Sequence, residues 1–373
     1  MSHLLEEYAK CCGVNIDKPI IKEHFYPVLS NKYITIDVDP EQDADEYPHW
    51  GITINLLSDF LKKEGIEVIQ ISNDSNRRFN NVDYYYDNCS HKNKFYILKK
   101  SLLHIGVNNI SAHAASSYNN NILTIVGNTY PDCCKPYWSS PEKTITISPD
   151  FSDIKPSFLE KESQNRIQEI KPEEIVSAAL KLLKIKKDCN FKTINIGGSY
   201  DLNIVDFVPN FEPSQIMGFD NINIRLDKHY DTKHIRAIMR NKRIEITTNK
   251  PIDEKILIKS RIKCINYIAD SFDPDFVNKV KKRGIKMALL CSNKKNINDE
   301  RFKFFEEKIS LYDSSEDIKE GNKKLKNINL KKVKTLSARR IFSNGKFYSS
   351  YYQITNKKND LLVDLNWIVC YYD

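Results

Sequence analysis

At 373 residues the chain is longer than one ordinary domain and suits two of roughly 150 residues each. Its hydrophobic content of 40% is enough for real cores, which argues against wholesale disorder. A mean hydropathy of −0.52 and the lack of any long uncharged apolar run leave no sequence signal for a membrane span. From Met1 the chain runs Ser2, His3, Leu4, Leu5, Glu6, Glu7, with no basic region followed by an apolar one, so a secretory signal is not expected. Nine cysteines without a CxxC pair read as reduced thiols in a cytoplasmic protein, and no metal is expected.

In chain order, Tyr33–Asp37 reads as a buried strand. A helix follows over Ile52–Lys63, with Ile52, Leu56, Leu57, Phe60 and Leu61 on one face and Gly65 as its stop. Ile66–Ile71 is the next strand, and Val82–Tyr86 a looser one. Phe95–Lys100 reads as a short helix, Leu102–Val107 as a strand, Ser111–Tyr118 as a small-residue helix and Ile122–Val126 as a strand. Thr144–Ser148 suits a sheet edge, and the helix over Pro172–Leu183 opens on Pro-Glu-Glu. Regular alternation of this kind predicts a parallel sheet with helices on both faces.

The polar stretch from Lys184 to Thr193 marks a domain boundary, after which the pattern restarts at Thr193-Ile194-Asn195-Ile196-Gly197-Gly198. Strands are expected at Ile222–Leu226, Arg243–Thr247, Cys264–Ile268 and Lys286–Leu290. Helices are expected at Thr232–Arg240, Asp253–Ser260, Asp273–Lys282 and Phe302–Lys308. A β-hairpin is expected around Ser343-Asn344-Gly345-Lys346. The fold class is thus α/β, with two Rossmann-like doubly wound domains over residues 1–187 and 188–318, and a basic β-hairpin tail over residues 319–373.

Two strand ends carry the chemistry. His104-Ile105-Gly106-Val107 runs into Asn108-Asn109-Ile110-Ser111-Ala112-His113, where a strand turns directly into a helix. Free N–H groups and the dipole at such a helix start favour a phosphate. The next strand ends in Gly127-Asn128-Thr129, and ligands of open α/β sheets bind at the carboxyl ends of strands.

These segments resemble the donor-binding half of the heptosyltransferase-like glycosyltransferases, glycosyltransferase family 9, of GT-B architecture. That family has a strand, an Asp-Ser-Gly turn, a His five residues after the Asp and two alanines, then a second strand running into a Gly-Pro-Thr-x-Pro-like loop. Here Asn108 and Asn109 stand at the Asp and Ser positions, Ile110 at the Gly and His113 at the His, while Gly127-Asn128-Thr129-Tyr130-Pro131 matches the second loop. Tyr47-Pro48-His49-Trp50 is similar to the family's Lys-x-Trp-Pro segment, without its Lys, and Gly65–Ile71 to its Gly-x-x-Val strand. The resemblance covers roughly residues 1–185, and the donor-like half comes first where the family has it second, which implies either a circularly permuted GT-B pair or a donor domain joined to an unrelated partner.

The resemblance implies transfer of a sugar from a nucleotide-sugar donor to a hydroxyl acceptor, with donor contacts at Trp50, Asn108, Asn109, Ser111, His113, Gly127, Asn128 and Thr129. The nucleotide sugar would be a co-substrate, with no cofactor and no metal. The substitutions at Asn108 and Ile110 also fit a non-catalytic nucleotide- or glycan-binding protein on a degenerate scaffold. In the second domain Asp201 and Asp206 are candidate bases. The basic tail, with Lys319, Lys323, Lys324, Lys326, Lys331, Lys332, Lys334, Arg339 and Arg340, suits an anionic glycan, a nucleic acid or an acidic membrane surface, or is simply a solvated lysine-rich linker. A nucleic-acid-modifying glycosyltransferase is the corresponding alternative activity.

Overall fold

The computed structural model describes residues 2–72, 78–79, 81–87, 89–159, 165–195, 205–210, 221–233, 235–240, 242–293, 295–311, 323, 333–336, 340–348, 351–357 and 367–371. The chain divides into two compact units, Met1–Thr193 and Ile194–Tyr371. Among the described residues no helix is long and apolar enough to cross a membrane.

The first unit contains α1 (Leu4–Cys12), β1 (Tyr33–Asp37), α2 (Trp50–Lys63), β2 (Glu67–Ile71), β3 (Tyr84–Tyr86), α3 (His91–Lys100), β4 (Leu103–Val107), α4 (Ile110–Ser117), β5 (Asn121–Ile125), α5 (Pro131–Cys134), β6 (Thr144–Ile147) and α6 (Pro172–Leu182). Its six strands are parallel in the order β3-β2-β1-β4-β5-β6. The order reverses between β1 and β4. A right-handed crossover to the left of β1 and one to the right of β4 place their helices on opposite faces, so this sheet is doubly wound. Tyr33, Ile69, Ile71 and Ile122 pack with Ile97 and Leu98 of α3 and Ala114 and Ala115 of α4. The small residues of α4 let it lie close to the sheet. Gly106 serves the same closeness, since a Cβ there would stand 2.6 Å from the carbonyl oxygen of Asp37.

At the division lies β7 (Phe191–Asn195), and the second unit continues with β8 (Val205–Phe207), β9 (Ile222–Arg225), α7 (Ile235–Met239), β10 (Ile244–Thr248), β11 (Ile262–Ala269), α8 (Pro274–Lys282), β12 (Lys286–Cys291), α9 (Ile297–Lys303) and β13 (Ile309–Leu311). Last come β14 (Val333–Leu336), β15 (Arg340–Ser343), β16 (Lys346–Tyr348), α10 (Tyr352–Thr355) and β17 (Trp367–Tyr371). Both units are α/β, the class that the alternation predicts; β1 to β6 and β8 to β13 are parallel, while β15–β16 and β14–β17 pair antiparallel.

The winding of the second sheet is a separate finding. Its order is β13-β12-β11-β10-β9-β8-β15-β16, so β8 to β13 run in sequence without reversal. Right-handed crossovers that all step the same way share one face. There Ile235, Ile238, Phe276, Val277 and Val280 pack on the alternate strand residues Ile222, Ile224, Ile246 and Ile265. The other set of alternate residues is polar and hydrogen-bonded in a row: Asn223 donates to Asp206 at 2.8 Å, Thr247 to Asn223 at 3.0 Å, and Asn266 to Thr247 at 3.4 Å.

Two expected helices are corrected. Asp253–Ser260 forms only a 3-10 turn at Glu254–Ile256, because Asp253 caps Lys255 at once and Ile256 and Leu257 both turn into the core. Phe302–Lys308 is not helical beyond Lys303, where α9 ends, and Phe302 and Phe305 are exposed. The hairpin does form about Asn344-Gly345, both at positive φ. Its first strand also pairs in parallel with β8, so it is part of the second sheet.

Candidate functional site

In a doubly wound sheet the crevice for a ligand opens where the strand order reverses, at the carboxyl ends. Here that point lies between β1 and β4. The loops after β1, β4 and β5 all leave from that edge, and they are tied together by side chains that close on backbone N–H groups.

Asn109 is the N-cap of α4. Its Oδ1 accepts from the N–H groups of Ser111 at 3.0 Å and Ala112 at 3.2 Å, while its Nδ2 donates to the Asp39 carbonyl at 3.2 Å. The Glu41 carboxylate accepts from Ile110 N–H at 3.1 Å. Asp45 accepts from Gly127 N–H at 3.0 Å. Free N–H groups at the start of α4 were the expectation, and this is a correction: the first three are already bonded within the protein. The sequence places an N-cap residue type at 109 and carboxylates at 39, 41, 43 and 45, and the fold brings the two together.

Beneath this layer sits a buried polar group. Ser111, only 1% exposed, donates its hydroxyl to Asp37 Oδ2 at 2.5 Å. Asp39 N–H donates to the other oxygen at 3.2 Å. Burial raises the Asp37 carboxyl from 3.8 to about 6, with Lys94 and the Ser111 hydroxyl pulling the other way. Because the folded carboxyl binds its proton more tightly than the unfolded one, this group stabilises the fold below about pH 4. That contribution is lost as pH rises towards about 6. The shift amounts to about 3 kcal/mol. In Asp37→Asn this dependence should vanish, so the stability of wild type relative to the variant should fall by up to about 3 kcal/mol between pH 4 and 7. Urea denaturation of both proteins across that range checks it, and a difference that does not change with pH would refute it.

The structure sorts the expected donor residues into two sets. Asn108, His113 and Thr129 are partly open at the carboxyl edge. Asn108 Oδ1 lies 3.2 Å from His113 Nε2, and burial, aided by His3, lowers the His113 pKa, which keeps the ring neutral. Thr129 Oγ1 lies 3.0 Å from Cys134 Sγ. Asn109, Ser111, Gly127, Asn128 and Trp50 are buried. The Asn128 amide donates to the Leu159 carbonyl, Gly127 packs on Ala44, and Trp50 opens α2 edge-on to Tyr47. Asp37, Glu41 and Asp45 were missed. Their signal was the alternating acidic run after a buried strand.

In the second unit Asp206 is fully buried, bonded to Asn223 and paired with Arg225 at 3.1 Å. That placement makes it a structural ion and not a base for an acceptor hydroxyl. Gly197 to Asp201, and Lys319, Lys324, Lys326, Lys331, Lys332 and Arg339 of the basic stretch, lie outside the described residues. Among the described residues no cluster of three metal-ligating side chains occurs.

No protein-family model matches the chain, and no curated protein matches it. Among solved structures it is similar to the glycosyl transferase family 9 protein from Veillonella parvula DSM 2008, at 14% identity and a TM-score of 0.36, over 48% of this chain and 50% of that one. It is similar to the ADP-heptose LPS heptosyltransferase II of E. coli at 13% identity and a TM-score of 0.32, over 48% and 50% of the two chains. The UDP-GlcNAc 2-epimerase from Methanocaldococcus jannaschii aligns over 85% of this chain and 95% of its own, at 12% identity and a TM-score of 0.21. The chain thus spans about half the length of the first two structures it matches.

Proposed function

We propose that the first unit binds a nucleotide-sugar at the carboxyl edge of its sheet, and that the chain is a glycosyltransferase moving the sugar to a hydroxyl acceptor. The observation that supports this is the strand order β3-β2-β1-β4-β5-β6, whose reversal lies beside the polar ends of β4 and β5. The Asn108 amide and the Thr129 hydroxyl can donate to phosphate oxygens, and the neutral His113 ring can hold a sugar or ribose hydroxyl. As the diphosphate leaves, the positive end of the α4 dipole would stabilise its growing charge.

In this reading Glu41 stands where a phosphate oxygen would bind. It is exposed, so its carboxylate can swing aside, but it competes with an anionic ligand and repels it. Calorimetric titration with ADP-, GDP-, UDP- and CMP-sugars should find one nucleotide class that binds. Glu41→Gln should bind that ligand about 2–5-fold more tightly, the scale of one charge at a helix N-terminus. Failure of all four nucleotides to bind either protein would overturn the proposal. A binding protein without activity is the second reading, favoured by the fully capped α4 and by Asn108. Release of the free nucleotide in the presence of acceptor, a nucleoside diphosphate from ADP-, GDP- or UDP-sugars and CMP from CMP-sugars, separates the two.

A further inference from the structure

The opposite, amino edge of the same sheet carries a second concavity, of about 1240 Å³. The strands are five residues long, so it lies about 17 Å from the carboxyl edge. Three helix ends frame it: α2 stops beside Glu64, α4 beside Asn119 and α6 beside Lys184. Six lysines line it against two glutamates. Three of the six are engaged: Lys32 donates to the Glu64 carbonyl at 2.6 Å, Lys143 to the Asn119 carbonyl at 3.0 Å, and Lys187 pairs with Glu64 at 2.8 Å. Lys181, Lys184 and Lys186 are exposed, and their ammonium groups make no hydrogen bond or ion pair among the described residues.

Lysines near helix C-termini complement the dipole, and that accounts for one or two of them. It does not account for three unpaired ammonium groups facing one cavity. Nor does it account for Lys184, whose backbone is left-handed at φ 56 where α6 ends, a place that glycine ordinarily takes. A long side chain kept there at a conformational cost of about 1 kcal/mol points to a use for its charge.

We propose that this cavity binds a multiply phosphorylated ligand, held by Lys181, Lys184 and Lys186. A single phosphate would leave most of the volume empty, and three separate point charges fit several phosphate groups better than one carboxylate. The site is independent of the carboxyl-edge reading, since no residue is shared.

Inorganic tripolyphosphate is the probe, titrated calorimetrically at low salt into the full chain. The triple variant Lys181→Ser, Lys184→Gly, Lys186→Ser should weaken its binding about tenfold or more, the equivalent of 1.4 kcal/mol. A control that removes the same charge from the second unit, Lys279→Ser, Lys282→Ser, Lys286→Ser, should leave it within twofold. Equal losses in both variants, or no loss in the first, would overturn the proposal. Should the triple variant fail to fold, Lys186→Glu alone carries the test, because that side chain is exposed and bonds nothing among the described residues. In a second arm, co-sedimentation with phosphatidic acid vesicles distinguishes the source of the phosphate. Binding to vesicles as well as to tripolyphosphate marks a lipid headgroup, and binding to tripolyphosphate alone marks a free ligand.

Discussion

Replacing Arg225 with Met is expected to destabilise the second unit by about 3–5 kcal/mol, the usual cost of breaking a buried ion pair. The Arg225 side chain is 2% exposed and reaches Asp206 at 3.1 Å and Asp227 at 2.7 Å. Its guanidinium also stacks on the Tyr351 ring, 5.0 Å from the centroid. Asp206 is fully buried, so without Arg225 its carboxylate would lose the cation that pairs with it at 3.1 Å. Asn223 still donates to it, but a neutral hydrogen bond of about 1 kcal/mol does not replace a cation. Adding Asp206→Asn to Arg225→Met should recover part of the loss, because the stranded charge is then gone. Urea denaturation read on the second unit checks both variants. A loss under about 1 kcal/mol for Arg225→Met would place the pair in solvent.

Ser111→Asp is expected to unfold or severely destabilise the first unit near neutral pH, by about 3 kcal/mol or more. Taken locally the change looks harmless, since an acidic residue in the first turn of a helix gains about 0.3–1 kcal/mol from the dipole. The tertiary setting decides otherwise. The Ser111 hydroxyl is a donor to the buried Asp37 carboxylate, and a carboxylate in its place would remove the donor and set two acids against each other. Ser111→Ala only removes the donor and should cost about 1–3 kcal/mol. Thermal unfolding of the two variants at pH 7.5 and pH 5 checks this. The Asp variant should gain stability at the lower pH, where Asp37 is protonated. Ser111→Asp as stable as wild type at pH 7.5 would contradict the buried arrangement.

Much of this architecture is legible in the sequence, and what is not has identifiable causes. Helices α2, α4 and α6 announce themselves by period or by composition: Ile52, Leu56, Leu57 and Leu61 all reach the core, and Pro172-Glu173-Glu174 opens a helix as such a triplet should. Helix α1 goes unnoticed because none of its nine residues is buried, so packing imposes no apolar period on it. The stretch Asp253–Ser260 misleads because its isoleucines and leucine are spaced as in a helix, while the cap that Asp253 places on Lys255 and the burial of both Ile256 and Leu257 hold it to a single 3-10 turn.

Winding direction is hidden for a different reason. Alternation of strand and helix does not say on which side of its predecessor each strand adds, so the reversal in one sheet and the sequential order in the other emerge only from pairing. The site was legible in location and not in detail. The turn at Asn108-Asn109 and the loop at Gly127-Asn128-Thr129 do lie at adjacent strand ends. That Asp45 would reach Gly127 across 82 positions, and Glu41 reach Ile110 across 69, depends on contacts no local pattern records.

The account rests on an anionic nucleotide binding between the ends of β1, β4 and β5, and amide hydrogen exchange tests that most directly. With a saturating nucleotide-sugar from the titration series, the backbone amides of Ile110–His113 and Gly127–Thr129 should exchange more slowly, while the amino-edge segments Asn119–Asn121 and Lys181–Lys187 stay unchanged. Slowed exchange confined to other segments of the chain, with these two loops unaffected by a ligand that demonstrably binds, would contradict it.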